Sequence, residues 1–236
     1  MVTEELNVLA AFLAVARGRA RRPRADHGPA RQAGGADTPR GLPTAARLVV
    51  APKLAAFASA YPDVVVDLTT SEESRVDLVA AGFDAGIHLG EFIERDMVAV
   101  RVSADQRAAI VGAPTYFAAH PRPKSPRDLT AHNCPTSGTA PRVSTTGSVE
   151  KGRKSVAVAV KGPIIVDDVD VMVRAAVDGA GLAFALKEHV AAEVASGALV
   201  RVLEDWCSPF TGYFLYYPSR RQQPPALSAL IDTFRL

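Results

Sequence analysis

The chain has 236 residues, of which 48% are hydrophobic, and it carries a formal net charge of +2. This composition is typical of a folded globular protein and argues against a disordered or coiled-coil chain. Because the net charge is small, it does not by itself indicate a nucleic-acid or membrane partner. The spacing of the two cysteines, Cys134 and Cys207, suggests neither a disulfide framework nor a zinc site. We therefore expect no metal and no cofactor.

The N-terminal sequence does not match the pattern of a secretory signal peptide. The first residues include two acids and no basic region ahead of the apolar stretch, and no long hydrophobic span occurs along the chain. We therefore expect no membrane partner and a cytoplasmic location.

Near the N-terminus, apolar residues recur at roughly helical spacing and predict an amphipathic helix that ends near Arg17. Its apolar face consists of Leu6, Leu9, Phe12, Leu13 and Ala16. The stretch from Arg17 to Arg40 holds seven arginines, scattered glycine and proline, and no aliphatic residue larger than alanine. Such a stretch cannot bury enough apolar surface to offset the entropy of ordering it, so we expect it to be disordered.

Beyond Pro43 the pattern alternates between helices and strands, which predicts an α/β fold with a mostly parallel sheet. Helices are expected at 45–60, 74–81, 115–119, 126–131, 168–178, 188–195 and 225–234. Strands are expected at 64–68, 85–89, 98–102, 108–111, 156–160, 164–166, 182–185, 199–203 and 213–217.

Ligands of such sheets bind beyond the carboxyl ends of the strands, and this rule indicates three places. Thr70 and Ser71 lie in a hydroxyl-rich turn after a predicted strand, where capping and ligand contact are equally good interpretations. Asp168 precedes a predicted helix, so capping is the simpler interpretation and a position in a cleft is the alternative. His88 stands at a strand end, where it could meet a carboxylate or only form a hydrogen bond. Because the sequence shows no combination of nucleophile, base and orienting group, we expect that this protein is not an enzyme.

Several segments occur together in an order that is similar to the effector-binding domain of LysR-type transcription regulators. They are Pro52–Leu54 with Phe57, Tyr61–Val64, Val76–Val79, Gly82–Gly90, Arg127–Leu129 with His132 and Cys134, Val177–Leu182, and Tyr216–Arg221. The resemblance covers the chain from Ala46 to Leu236.

The resemblance implies a two-lobed fold like that of type 2 periplasmic binding proteins. Lobe I would comprise 44–111 and 213–236 and lobe II 112–212, with Gln106–Val111 and Tyr213–Tyr217 as the connecting strands. It also implies a small-molecule effector in the cleft, a homo-oligomer, and promoter DNA as a partner. By position, the effector-binding candidates are Thr44, Thr70, Ser71, His88, Asp168 and the segment after Cys134.

Two regions depart from the family pattern. Within residues 1–43, the apolar residues from Leu6 to Ala16 match the first helix of the DNA-binding head, but the arginine-rich stretch from Arg17 to Arg40 replaces the rest of that head, so we expect only a remnant of it. Residues 135–148 replace a strand that bears aromatic side chains in the family. We hypothesise that both segments are out-of-frame readings, which translation in the other frames would test. Loss of the strand expected before Pro43 would leave an exposed sheet edge.

Two functions therefore remain open. The first is a LysR-type regulator whose head is defective, so that binding of promoter DNA would be weak and salt-dependent. The second is a stand-alone ligand-binding or hetero-oligomerising protein, or an inactive relic, without DNA binding. Lys53, Arg75 and Arg95 would suit an anionic effector, although exposed cations are usually only solvated.

Overall fold

The computed structural model describes residues 10–17, 44–71, 77–90, 93, 96–135, 146–152, 154–166, 168–218 and 223–236. The described residues divide into two compact units. The central unit is Gln106–Phe210, and the flanking unit contains the described residues from Ala10 to Asp105 and from Thr211 to Leu236. The arginine-rich stretch beyond Arg17, and most of the predicted departure at 135–148, lie outside the described residues.

The strands are β1 (Ala10–Arg17), β2 (Val64–Ser71), β3 (Ala85–Leu89), β4 (Met97–Arg101), β5 (Gln106–Gly112), β6 (Thr146–Lys151), β7 (Lys154–Ala159), β8 (Ala183–Leu186), β9 (Val200–Val202), β10 (Pro209–Phe210) and β11 (Tyr213–Pro218). The α-helices are α1 (Ala51–Ala60), α2 (Pro114–Ala119), α3 (Val169–Val177), α4 (Ala191–Ala195) and α5 (Pro225–Phe234). Three 3₁₀ segments, Pro126–Ala131, Lys187–Val190 and Glu204–Trp206, complete the elements of the central unit.

The flanking unit is built on a five-stranded sheet in the order β2-β1-β3-β11-β4. β1 is an inner strand of this sheet, so the helix predicted near the N-terminus is wrong over Ala10–Arg17. All eight residues of β1 pair with β2, and three of them also pair with β3. The expected open sheet edge is therefore filled by the segment that resembles the first helix of the DNA-binding head.

Residues on both faces of β1 are buried, which explains why the sequence of this strand also matches the pattern of a helix. Phe12 stacks on Phe83 with ring centroids 5.3 Å apart, in a cluster with Leu78. Leu13 is the next residue along the strand, so its side chain lies on the opposite face, and it is fully buried as well. A strand buried on both faces is apolar at every position, and such a run matches helical spacing as well as strand spacing.

The predicted mostly parallel sheet is also wrong for the described residues. Every pairing between the strands named above is antiparallel, and only two isolated bridges are parallel. In the flanking unit, the direction of β1, which runs opposite to both β2 and β3, accounts for two of the four pairings, and β11 makes the other two. Inserting a strand in reverse converts each of its pairings into an antiparallel one.

Helix α1 follows a π-helical turn, Ala46–Val50, into which Thr44 and Ala45 lead in helical conformation. The amide of Ala51 donates to the carbonyl of Ala46, and Pro52 follows at the start of α1. Since proline cannot donate to the carbonyl four residues earlier, the wider turn accommodates it without breaking the helix. Lys53 then donates from Nζ to the carbonyl of Phe234 at 2.8 Å, which ties α1 to α5.

The predicted elements at 74–81 and 164–166 differ from the structure. Residues 78–82 form turns, and residues 72–76 lie outside the described chain. Asp77 Oδ1 accepts from the amides of Val79 and Ala80, which closes a turn in place of a helix. Residues 164–166 contribute only a bridge position.

In the central unit, β5 pairs with β8 through residues 108–111, with β9 through residues 110–112 and with β10 at residues 106–107. β6 and β7 form a separate two-stranded hairpin. The core contains Ile110, Leu129, Leu182 and Leu199, each buried to within 1% of full burial. Cys134 lies in this core and both cysteines are free thiols. Burial raises the pKa of the Cys134 thiol to about 12, so it is not reactive as a thiolate.

Candidate functional site

Thr44 is the sequence-predicted site residue at the start of the first helix. The structure places it directly before the π-helical turn, with 6% of its surface exposed. A hydroxyl at a helix start lies beside amide N–H groups that have no partner within the helix. Its position therefore suits contact with a polar ligand or with the helix itself.

Thr70 and Ser71 were expected in a turn, and this expectation is wrong. β2 continues through both residues, which pair with Ala11 and Ala10 of β1. The strand is longer than predicted because β1 provides hydrogen-bonding partners that the local sequence does not reveal. The two residues lie side by side in the sheet, on the edge strand.

His88 lies in β3, opposite Phe214 of β11, and is 1% exposed. Its Nδ1 accepts a hydrogen bond from the Leu89 amide at 2.8 Å. Burial lowers the pKa of His88 to about 4, and the Leu89 bond opposes this shift. The imidazole is therefore uncharged at neutral pH, so it provides no electrostatic attraction for an anionic ligand.

The stability of the protein should depend on pH through His88. Its folded pKa of about 4 lies below the unfolded value of 6.5, so the unfolded chain binds a proton first as the pH falls. We expect this one group to lower the free energy of unfolding by about 2 kcal/mol between pH 7 and pH 5. Urea denaturation of the wild type and of His88→Gln at both pH values measures the difference. An equal loss in both proteins would contradict the assignment.

Asp168 is the N-cap of α3 in the central unit. Its Oδ1 accepts from the amides of Asp170 at 2.8 Å and Val171 at 3.0 Å. Capping, the simpler of the two interpretations, is confirmed, while Asp167 lies outside the described residues. The carboxylate is thus held by the helix that it begins.

Replacement of Asp168 by alanine should lower the free energy of unfolding by about 1 kcal/mol, the usual effect of losing an N-cap. Asp168→Asn retains an acceptor oxygen and should lose clearly less. Urea denaturation of the two variants measures this difference. Equal losses in both would show that charge, and not capping, is what the position provides.

The central unit has an open depression of ≈ 510 Å³ beside the segment that precedes Cys134. Its floor is held by backbone bonds, because the Cys134 amide donates to the carbonyl of Lys161 at 3.0 Å and the Leu182 amide donates to that of Asn133 at 2.8 Å. The lining residues are Thr130, Ala131, His132, Asn133, Lys161, Gly162 and Pro163.

A buried network supports one wall of the depression. The Tyr116 hydroxyl lies 3.1 Å from His132 Nδ1 and accepts from the Asn133 amide, also at 3.1 Å. His120 stacks on the Tyr116 ring, with centroids 4.2 Å apart. Burial lowers the pKa of His132, and nearby His120 lowers it further, while burial raises the pKa of Tyr116. At neutral pH the tyrosine hydroxyl therefore keeps its proton and can donate it to a neutral imidazole.

Lys161 is the one cationic side chain among the lining residues, since His132 is neutral. It is exposed, as is Asn133. An ammonium group with a side-chain amide beside it can bind a small anion such as a carboxylate. Sequence reasoning missed Lys161 and Asn133 because their juxtaposition depends on a parallel bridge between residues far apart in the chain. No local signal indicates that bridge.

Metal and membrane sites are not indicated in the part of the chain that the structure describes. Among those residues, no group of three or more histidine, cysteine, aspartate or glutamate side chains is placed to hold a metal ion. None of the helices described is long and apolar enough to span a bilayer.

Known proteins are similar to this chain over most of its length. Residues 41–235 match the family model described as the LysR substrate binding domain. A transcriptional regulator of Pseudomonas aeruginosa is 41% identical over 80% of this chain and 62% of its own length. The HTH-type transcriptional regulator YcaN of Escherichia coli is 36% identical over 80% of this chain and 61% of its own length. The chain thus spans less than two thirds of both relatives.

Solved structures show the same fold. The full-length virulence activator AphB of Vibrio cholerae superposes with a TM-score of 0.69 at 20% identity, covering 80% of this chain and 63% of AphB. The regulatory domain of AphB from Vibrio vulnificus gives 0.67 at 22% identity, covering 81% of this chain and 92% of that domain. The match is therefore to a regulatory domain with the two-lobed, periplasmic-binding-protein-like fold. From the family model, the relatives and the fold together, this chain belongs to the LysR substrate-binding domain family.

Proposed function

We propose that this chain is the small-molecule-sensing domain of a LysR-type transcription regulator acting in the cytoplasm. The family match over residues 41–235 carries this proposal, and the relatives, which are transcriptional regulators, support it. An effector can act only if it binds one conformation of the domain better than another. The regulator would therefore respond through a differential affinity, and no catalytic group is required.

We further propose that the effector is a small anion bound at the depression of the central unit. Lys161 would pair with the anion while the side-chain amide of Asn133 donates a hydrogen bond to it. Because His132 is neutral, Lys161 is the single positive charge among the lining residues, so one carboxylate suits the site better than a polyanion. In the flanking unit, Thr44 and Thr70 remain our candidates for effector contact.

Ligand binding can be tested with the full chain. A thermal-shift screen with small aliphatic and aromatic carboxylates should raise the melting temperature for at least one compound, because binding to the folded state alone stabilises it. Titration calorimetry should then show that Lys161→Gln weakens binding of that compound at least tenfold. Lys187→Gln, which removes an exposed lysine elsewhere in the central unit, is the matched control. Equal binding by both variants would reject the depression as the site.

We also propose that DNA binding is defective in this chain, as expected for a LysR-type regulator whose head is only a remnant. The observation behind this is β1, since a segment paired with two strands cannot at the same time form the first helix of a head. Any binding would then come from the arginine-rich stretch and be electrostatic. Gel-shift titrations should show weak binding that falls steeply with salt for promoter and random DNA alike. A tight, sequence-specific complex at 200 mM salt would refute this.

A further inference from the structure

β1 occupies an inner position of its sheet although a long connection separates it from the rest of its unit. Between β1 and Thr44 stand the 26 residues 18–43. A connection of this length can span at most roughly 90 Å. A compact chain of 236 residues has a radius of gyration of roughly 18 Å. The connection therefore does not restrict β1 to the sheet of its own chain.

The contacts that hold β1 are of a kind that any copy of the segment can make. Pairing with β2 and β3 uses main-chain groups. Beyond the end of the β3 pairing, the Asp84 amide donates to the Leu13 carbonyl at 2.9 Å, and Asp84 Oδ2 accepts from the Val15 amide at 2.9 Å. Asp84 is 3% exposed, so the carboxylate lies inside the unit as a fixed acceptor for the incoming strand.

The gap that β1 fills cannot remain empty in a folded unit. Without β1, Phe83 and the inner edges of β2 and β3 would be exposed, because Phe12 covers that aromatic ring and β1 satisfies both edges. Unpaired inner edges bind any matching strand. The available matching strand is β1 itself, either from the same chain or from another copy.

We propose that β1 is exchanged between two copies of this chain, each copy filling the gap between β2 and β3 of the other. The partner is a second copy of the same chain, and the exchange is reciprocal, so the assembly closes as a dimer. This dimer goes beyond the sensing function proposed above and does not depend on any effector. Its strength depends on the strand contacts, which are the same in the exchanged and the unexchanged forms, so protein concentration decides between them.

Single cysteines at paired positions can test the exchange in the full chain. Ala14 and Asp67 are direct partners across β1 and β2. A chain with Ala14→Cys, labelled with ¹⁵N, is mixed in urea with an unlabelled Asp67→Cys chain, refolded together, and oxidised. If strands exchange, mass spectrometry will find a disulfide between a heavy and a light chain in about half of the chains at high concentration. Dilution before refolding should reduce that fraction.

Three controls make the result decisive. The double variant Ala14→Cys/Asp67→Cys shows whether β1 lies beside β2 at all. Ala14→Cys mixed with Val79→Cys, an exposed position that is not a strand partner of β1, measures random collision. Ala11→Cys with Thr70→Cys repeats the test in the same register if Asp67→Cys does not fold. Links within the double variant but none between chains overturn the exchange, and so does the absence of links in both register pairs.

Discussion

Replacing Leu13 by aspartate should unfold the flanking unit, with a loss of at least about 4 kcal/mol in the free energy of unfolding. Leu13 is fully buried in β1, an inner strand of the five-stranded sheet. The substitution removes a large apolar side chain and places a carboxylate where the structure shows no cation to pair with it among the described neighbours on β2 and β3. Hydrogen exchange of β3 and β11, read by mass spectrometry, should report loss of protection in this unit.

The matched control is Val65→Asp, which introduces the same side chain on β2 at a position that is 50% exposed. It should change the free energy of unfolding by less than about 1 kcal/mol. If Leu13→Asp were as harmless as Val65→Asp, residues 10–17 would not be part of the sheet. That outcome would also remove the basis for strand exchange and for the loss of the DNA-binding helix.

Replacing Gly181 by alanine should destabilise the central unit by roughly 3 kcal/mol or more. A Cβ built on Gly181 would lie 2.1 Å from the carbonyl oxygen of Asn133, which is backbone and cannot turn aside. Gly181 also has φ of 157°, a conformation that side chains rarely adopt. Since the Leu182 amide donates to that same carbonyl, the substitution should displace Asn133 from the wall of the depression.

Chemical denaturation and ligand titration together measure this effect. Gly197→Ala is the control, because Gly197 also has a positive φ of 78° but no atom lies within 4 Å of the place that an added Cβ would take. Its loss should be only about 1 kcal/mol. If both variants lost the same stability, backbone conformation and not the contact with Asn133 would govern Gly181. If Gly181→Ala folded and bound the carboxylate normally, Asn133 would not contribute to the site.

The sequence predicted the local elements well wherever neighbouring residues decide them. β3, α3 and β11 all lie within a residue or two of their predicted positions. Asp168 illustrates the reason, since an N-cap bonds to amides two and three residues ahead and so depends only on local sequence. The family resemblance, drawn from the order of such local segments, was confirmed by the family model.

The errors occurred where distant residues decide the conformation. Phe12 and Leu13 carry an apolar run that suits a helix or a doubly buried strand, and only the gap between β2 and β3 selects the strand. Thr70 was placed in a turn because its partner, Ala11, lies almost sixty residues away. Lys161 was missed because its neighbour across the bridge, Asn133, is also remote in sequence.

By itself, the sequence determined the family, most of the helices and strands beyond Pro43, and the capping role of Asp168, because each of these depends on spacing and local hydrogen bonding. Tertiary structure decided that residues 10–17 form an inner strand, that the strands pair antiparallel, and that Lys161 and Asn133 line one depression. The physical reason is that strand pairing satisfies backbone groups without regard to side-chain identity, so the partner of a strand depends on which edge is available and not on a local signal.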